Sequence, residues 1–195
     1  MVWYRDKFEK PLVERTRIYY REKATGWFNN LSVIEYLKEL ENVIIREDSH
    51  SISYLENSTN KKVIEALNEE LIKNFASNLI EKETGMEFML NHEKYDDLKT
   101  MYNLFQRVPT CLDIMATHFQ PYVLKRRKIL TTNEANIKDS ILFSSKILQL
   151  KKELDILVEN SFAKDTRFKK VKNIAFQIFM NDFPQTPPSL FNYLY

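Results

Sequence analysis

Glycine and cysteine are nearly absent from this sequence: 195 residues include 2 glycines and 1 cysteine, with 6 prolines. Glycine supplies most positive-φ backbone positions, so its scarcity removes the tight hairpins of β folds and the phosphate-cradling loops of nucleotide sites. No Gly-x-Gly-x-x-Gly or Walker-type loop can be assembled from Gly26 and Gly85. The lone thiol, Cys111, excludes an intrachain disulfide, and the amino terminus lacks the charged, apolar and small-residue order of a secretory signal. The expected compartment is therefore the cytoplasm or nucleus. No apolar run approaches the ~20 residues needed to span a bilayer, so a soluble protein is expected.

An excess of one charge is missing as well. The 29 basic and 27 acidic side chains leave a net charge of +2, and no global field is available to hold a polyanion or coat an anionic membrane. Protein partners are expected, without nucleic acid or membrane. What the chain does have is an ordinary globular mix, 44% hydrophobic and 29% charged, in which apolar residues recur at helical spacing. A compact domain of this length buries about 70% of the surface its unfolded chain exposes, so no metal or disulfide staple is required.

The helical stripes follow in order. Tyr4, Phe8, Leu12 and Tyr19 form the first, stressed by Pro11. Gly26, Asn29 and Asn30 predict a break. Ser32 with Glu35 then makes a Ser-x-x-Glu capping box, opening a helix whose apolar side runs through Val33, Leu37, Leu40, Ile44, Ile52 and Leu55. Asn57, Ser58 and Thr59 offer caps for an antiparallel helix through Ile64, Leu67, Leu71, Phe75 and Leu79. Gly85 predicts a stop before a short cluster at Met86, Phe88, Met89 and Leu90. Tyr95, Leu98, Met101, Tyr102 and Phe105 line the next face, and Pro109 suits the first turn of a helix that carries Leu112, Met115, Phe119 and Val123 inward. After a polar connection at 131–136 come Ile137, Ile141, Leu148, Leu154, Leu157 and Val158. A helix capped by Asp165 follows, with Phe168, Val171, Ala175, Ile178 and Phe179 inward and Pro184 beyond its end. The last residues give barely two turns, and the first lack a polar lead-in, so the chain is expected to be a piece of a longer protein.

Residues able to carry chemistry are scattered. His50, His92 and His118 are far apart, and none sits four residues from another as two metal-binding imidazoles of one helix would. Cys111 lies among Thr110, Leu112 and Ile114, with no cation or base to activate it, and reads as a small core side chain rather than a nucleophile or ubiquitin carrier. The acidic pairs Glu69 with Glu70, Asp96 with Asp97, and Glu81 with Glu83 read as solvated helix faces, since catalytic carboxylates need environments that push their pKa values apart. The run Lys125, Arg126, Arg127 and Lys128 could anchor phosphate, but it also falls near a predicted helix end, where cations are favoured by the macrodipole. Lys169, Lys170 and Lys172 read the same way. No catalytic, cofactor-binding or metal residue is assigned, and no cofactor is expected.

The ordered blocks resemble the amino-terminal arm of the cullin family. Residues 4–20, YRDKFEKPLVERTRIYY, are similar to a cullin helix with an aromatic-acidic pair, an apolar doublet, a threonine and a closing aromatic pair. SVIEYLKELENVIIRE at 32–47 resembles the capped Glu-Tyr-Leu-Lys helix, YLENST at 54–59 the junction after it, and LIEKETGMEFML at 79–90 the short helix and acidic break. The most specific block is DLKTMYNLFQRVPTCL at 97–112, matching Asp-Leu-x-x-Met-Tyr-x-Leu-x-x-Arg with its proline and leucine. FAKDTRF at 162–168 and TPPSLFNYL at 186–194 complete the order.

The resemblance implies an all-α fold, a cullin-repeat-like solenoid of stacked antiparallel helices. Its implied division is residues 1–57 closing one repeat, 58–183 forming a five-helix repeat, and 184–195 starting a truncated helix. It also implies a non-catalytic scaffold role in a cullin-RING ubiquitin ligase, spacing a substrate-adaptor end from a RING end in ubiquitin-dependent degradation. Both partner-binding regions of the family lie outside this span, so no residue here is assigned to either. The alternative class is a helical adaptor for proteins or phosphopeptides, unrelated to ubiquitin and anchored by Lys125 to Lys128.

Overall fold

The computed structural model describes residues 2–132 and 140–182, and the elements they form are all helices. A turn at Val2–Tyr4 passes through a π turn, Arg5–Glu9, into α1, Lys10–Asn30. Pro11 explains the widening. Its ring crowds the carbonyl four residues back and it has no N–H to give; the Lys10 N–H closes the wider turn on the Arg5 carbonyl. The extra residue shifts the inward face, so Glu9 takes the buried place after Tyr4 and the spacing then runs to Tyr20 and Ala24. The expected stripe is corrected accordingly: Phe8 turns outward, and Tyr19 is 49% exposed where Tyr20 is 4%.

The break expected from Gly26, Asn29 and Asn30 before Ser32 falls at Leu31, with the helix running through Gly26 unbroken. α1 continues to Asn30, the Leu31 N–H bonding to the Trp27 carbonyl at 2.8 Å. An exposed helical glycine costs about 1 kcal/mol relative to alanine, less than the burial of Tyr20 and Ala24 returns. α2, Val33–Tyr54, starts at the Ser32 capping box: the Ser32 hydroxyl accepts from the Glu35 N–H at 3.3 Å, and the Glu35 carboxylate accepts the Ser32 N–H at 2.9 Å. Val33, Tyr36, Leu37, Leu40, Val43 and Ile44 make its buried side.

α3, Asn57–Leu71, begins without a side-chain cap. Thr59, expected as a cap, is instead fully buried. The long stripe expected to run on through Phe75 and Leu79 is broken by a tighter turn at Lys73–Phe75, beyond which α4, Ala76–Glu81, resumes. A turn of three residues advances the phase, so Leu71 and Ile72 are both buried, then Ala76, Leu79 and Ile80, while Ile64 and Phe75 are only half-buried. Gly85 sits where a Cβ would lie 2.4 Å from the Leu79 carbonyl oxygen and 2.5 Å from that of Ile80. No side chain fits there, and α5, Met86–Asn91, starts immediately after it. α6, Tyr95–Phe105, buries Leu98, Met101, Tyr102 and Phe105 as the sequence spacing predicts, whereas Tyr95, expected on the same face, is exposed in its first turn.

α7, Pro109–Thr132, α8, Ser140–Ser161, and α9, Thr166–Asp182, follow. The chain divides into two compact units, Met1–Ile114 and Met115–Tyr195. In the first, the Tyr36 hydroxyl at the start of α2 donates to the Leu71 carbonyl at the end of α3, 2.8 Å away, so these neighbours run antiparallel. In the second, Phe119, Phe162 and Phe168 are wholly buried. Phe162 and Phe168 stack with centroids 3.9 Å apart, and Phe119 meets Phe162 edge-on at 5.3 Å. Leu154, Leu157, Val158 and Ala175 join this core, but Leu148 and Ile178, expected inside, are exposed.

The turn from α8 to α9 uses left-handed backbone at Ala163, φ 47°, and Lys164, φ 60°. It is closed by Lys164 N–H to the Val158 carbonyl at 3.1 Å and by the Asp165 carboxylate, which accepts the Arg167 N–H at 2.8 Å. Expectations for the side chains of His50, Ile52, Ile141 and Phe179, for 133–137, and for 184–195 lie outside the described residues.

Candidate functional site

The polar groups that the fold gathers lie between helices rather than in a cleft. Glu70, read from sequence as half of a solvated acidic pair, is 1% exposed. Its carboxylate accepts both the Arg21 Nε and Nη2 at 2.9 Å, Asn74 Nδ2 at 3.0 Å, and a longer bond from Arg17 at 3.4 Å. Arg17 also pairs with Glu69. Sequence spacing missed this because the partners lie about fifty residues apart on α1. Those donors, Arg21 foremost, hold the Glu70 carboxyl below its ordinary pKa of 4.5 against the opposing effect of burial. At neutral pH it has no proton to give. It orients helices rather than acting as an acid.

A second lock sits at the π turn. Glu9 accepts from the Thr59 hydroxyl at 2.9 Å and from the Lys62 ammonium at 2.6 Å. The Lys62 and Thr59 bonds lower the Glu9 pKa. Glu9 meets Thr59 and Lys62, and further along Arg17 and Arg21 meet Glu69 and Glu70, so α1 and α3 run in the same direction. That is the arrangement of alternate members in an antiparallel series. At the far end of α1, Lys82 donates to the Phe28 carbonyl at 2.6 Å and the Leu31 carbonyl at 2.7 Å, satisfying acceptors that a helix end leaves open.

The residues singled out for chemistry are not brought together. Cys111 is buried, and burial pushes its thiol pKa up, away from the thiolate that attacks. His92 stacks on Phe88 at 4.1 Å with Nδ1 2.9 Å from that residue's carbonyl oxygen. His118 is half-buried on α7. Asp96 is exposed and Asp97 half-buried in the first turn of α6, and Glu81 and Glu83 are exposed. Among the described residues no group of three or more His, Cys, Asp or Glu could hold a metal ion, and no helix is long and apolar enough to cross a membrane.

The basic run also sits differently. α7 extends to Thr132, so Lys125 to Lys128 stop short of its last turn, where the macrodipole acts. Arg126 instead pairs across to Glu153 on α8. Lys172, grouped from sequence with Lys169 and Lys170, is buried and pairs with Asp155, while the other two are exposed.

An all-helical chain whose polar groups key one helix to the next is a packing module of the solenoid kind. A model of the cullin alpha solenoid domain matches residues 2–194. Cullin-3 of Dictyostelium discoideum is 32% identical over 186 residues, covering 94% of this chain and 24% of that protein. Cullin-3B of Arabidopsis thaliana is 29% identical over 189 residues, covering 94% and 25%. Cullin-4A of Homo sapiens is 27% identical over 187 residues, covering 96% and 24%. The chain belongs to the cullin family, and it spans about a quarter of the length of the curated relatives it matches.

Proposed function

We propose that this chain is a stiff, non-catalytic spacer in the scaffold of a cullin-RING ubiquitin ligase, acting in the cytoplasm or nucleus. Within it, residues 1–57 close one repeat, 58–183 form a five-helix repeat, and 184–195 open the next helix. The observation that carries the reading is the family match along residues 2–194, joined to helices that bury one face each and are pinned by carboxylates sealed between them. A ligase must bring activated ubiquitin to a bound substrate. Tethering raises effective concentration only while the connector keeps reach and orientation. Repeats that bury their apolar faces against neighbours give such a connector. The adaptor and the RING subunit would then bind elsewhere on the parent protein, and the cysteine here plays no part in transfer.

The test places Leu37→Asp or Leu104→Asp in the full-length parent assembled with its adaptor and RING subunit. Both leucines are buried, and a carboxylate in their place lacks a partner. The expected result is a lower melting temperature and slower substrate ubiquitination at unchanged adaptor affinity. Unchanged ubiquitination in a variant that has lost stability would overturn the spacer reading. A thioester between ubiquitin and this chain, lost on Cys111→Ser, would overturn the non-catalytic one.

A further inference from the structure

The outer side of α1, turned away from the contacts that Tyr20, Trp27 and Arg21 make with α2 and α3, presents an apolar pair bracketed by two opposite charges. We infer that this face is a docking surface for a second copy of the chain, the two α1 helices packing antiparallel about a twofold axis that passes between Ile18 and Tyr19. The pairing neither uses nor requires the spacer reading.

Three observations select that occupant. Ile18 and Tyr19 are 47% and 49% exposed, two large apolar side chains side by side in water. The Tyr19 ring is already held, meeting Tyr20 edge-on at 5.0 Å with the Lys23 ammonium 5.3 Å from its centre, so little freedom is lost when it docks. The charges come next. Arg15 precedes Ile18 and Glu22 follows Tyr19 by one helical turn, and both are exposed. Helix neighbours pair three or four positions apart, yet positions 11, 12, 18 and 19 around Arg15, and 18, 19, 25 and 26 around Glu22, carry no charge. Among the described residues, neither side chain is tied to another helix by an ion pair or hydrogen bond. A twofold axis between Ile18 and Tyr19 sets Arg15 of each copy opposite Glu22 of the other, because the two lie equally far from it, and brings the apolar pairs together. The third observation is Gly26. A Cβ there would meet nothing within 4 Å, so the chain's own packing does not call for glycine. The same axis sets the exposed Pro11 of the other copy against it, and the missing side chain gives that ring room to approach.

A patch that carries its own complement suits a twofold interface, in which the same surface serves both sides. Other partner classes fit less well. Arg15 and Glu22 cancel in the field seen from a distance, so a polyanion or an anionic bilayer gains nothing from the face. Its extent is modest: Lys10 to Trp27 faces its copy along about 27 Å of helix axis, at ~1.5 Å per residue. A single helix pair lies at the small end of specific interfaces, and a dissociation constant of roughly micromolar or weaker is expected.

Sedimentation of the 195-residue chain over a rising concentration series should show the mass moving from one chain toward two, less readily at high salt because exposed charges are screened. Arg15→Glu and, separately, Glu22→Arg set like charges opposite each other twice per dimer, and each should raise the dissociation constant about tenfold or more. Mixed together, the two variants restore opposite charges at both contacts and should pair with each other as readily as the unaltered chain pairs with itself. Neither side chain holds a bond within the described chain, so melting curves should not move; should one variant melt early, rescue on mixing still decides. A short bismaleimide should join two copies of the Ile18→Cys variant, the native Cys111 being buried. A mass independent of concentration overturns the inference, as does association that survives both charge reversals, or two variants that stay apart when mixed. A cross-link formed by the 195-residue chain but not by its full-length parent would overturn it too, by showing that another segment of the same polypeptide covers the face.

Discussion

In the amino-terminal unit, Met1–Ile114, parallel helices are keyed by buried carboxylates whose cationic partners reach them from the surface; in the carboxyl-terminal unit, Met115–Tyr195, the described helices close around three phenylalanine rings. The two devices do different work. Stacked rings with no exposed surface contribute several kcal/mol through burial and geometry, but rings are tolerant of small slips. An ion pair between a buried carboxylate and a cation that stays largely at the surface, as Arg21 and Lys62 do, adds little net stability, since desolvation of the carboxylate and screening of the cation offset much of the attraction. It does penalise every register that strands the carboxylate away from its donors. For α1 that penalty matters, because the π turn displaces its inward face by one residue and an apolar stripe alone would not say which neighbour to meet.

The comparison breaks first at the rings. Phe162→Ala is expected to cost about 3–5 kcal/mol, the usual range for emptying a buried aromatic site. Both tryptophans, Trp3 and Trp27, lie in the amino-terminal unit. A variant that melts early by circular dichroism while the tryptophan emission transition stays in place would show that the units rely on separate cores. Coincident early transitions would show one cooperative structure instead. Gly85→Ala is the matching cut in the first unit: a Cβ 2.4 Å from the Leu79 carbonyl oxygen forces the backbone apart, and overpacking of this kind costs roughly 1–3 kcal/mol. Here tryptophan emission should report the loss directly.

Acid should separate the units next. The Glu70 pKa in the folded chain lies below 4.5, its ordinary value. Its contribution is therefore present above that value and is lost as pH falls through the lower, folded-state pKa. The melting temperature read by tryptophan emission should drop as pH falls below about 4.5, the ordinary carboxylate pKa. Glu70→Gln should start lower at neutral pH and show a shallower acid decline. An equally steep decline in the variant would remove Glu70 from the account.

Much of this architecture is legible in the sequence, and the exceptions have physical causes. Ser32 with Glu35 and the Val108–Pro109 step set helix starts through local chemistry, so they can be read without a structure. The stripe through Leu98, Met101, Tyr102 and Phe105 is legible because one regular helix buries one side. Tyr20 in place of Tyr19, and Leu71 with Ile72 in place of Phe75, are not, because a π turn and a three-residue turn each change the phase. Glu70 and Lys172 read as solvated charges because their partners are remote: Arg21 lies 49 residues from Glu70 and Asp155 lies 17 from Lys172. A fold can announce its helices locally while hiding the polar contacts that register them.

The capping box offers a local control for these remote effects. Ser32→Ala removes the acceptor for the Glu35 N–H and should lower stability by about 1 kcal/mol, less than either core substitution and with little dependence on salt. The smallest expected change is a gain. Ala163 and Lys164 hold left-handed backbone, a conformation unfavourable for any residue with a Cβ. Lys164 spends its side chain at the surface on an ion pair with Glu159, and exposed pairs contribute from nothing to about 1 kcal/mol. Lys164→Gly relieves the backbone while adding freedom to the unfolded chain, so a net gain of about 0.5 kcal/mol is expected. Circular dichroism melting should register it without any shift in tryptophan emission if the turn belongs to the ring-centred unit alone. A gain seen equally by the tryptophans would mean that relief in one unit reaches the other, and that the polar and aromatic devices close a shared structure.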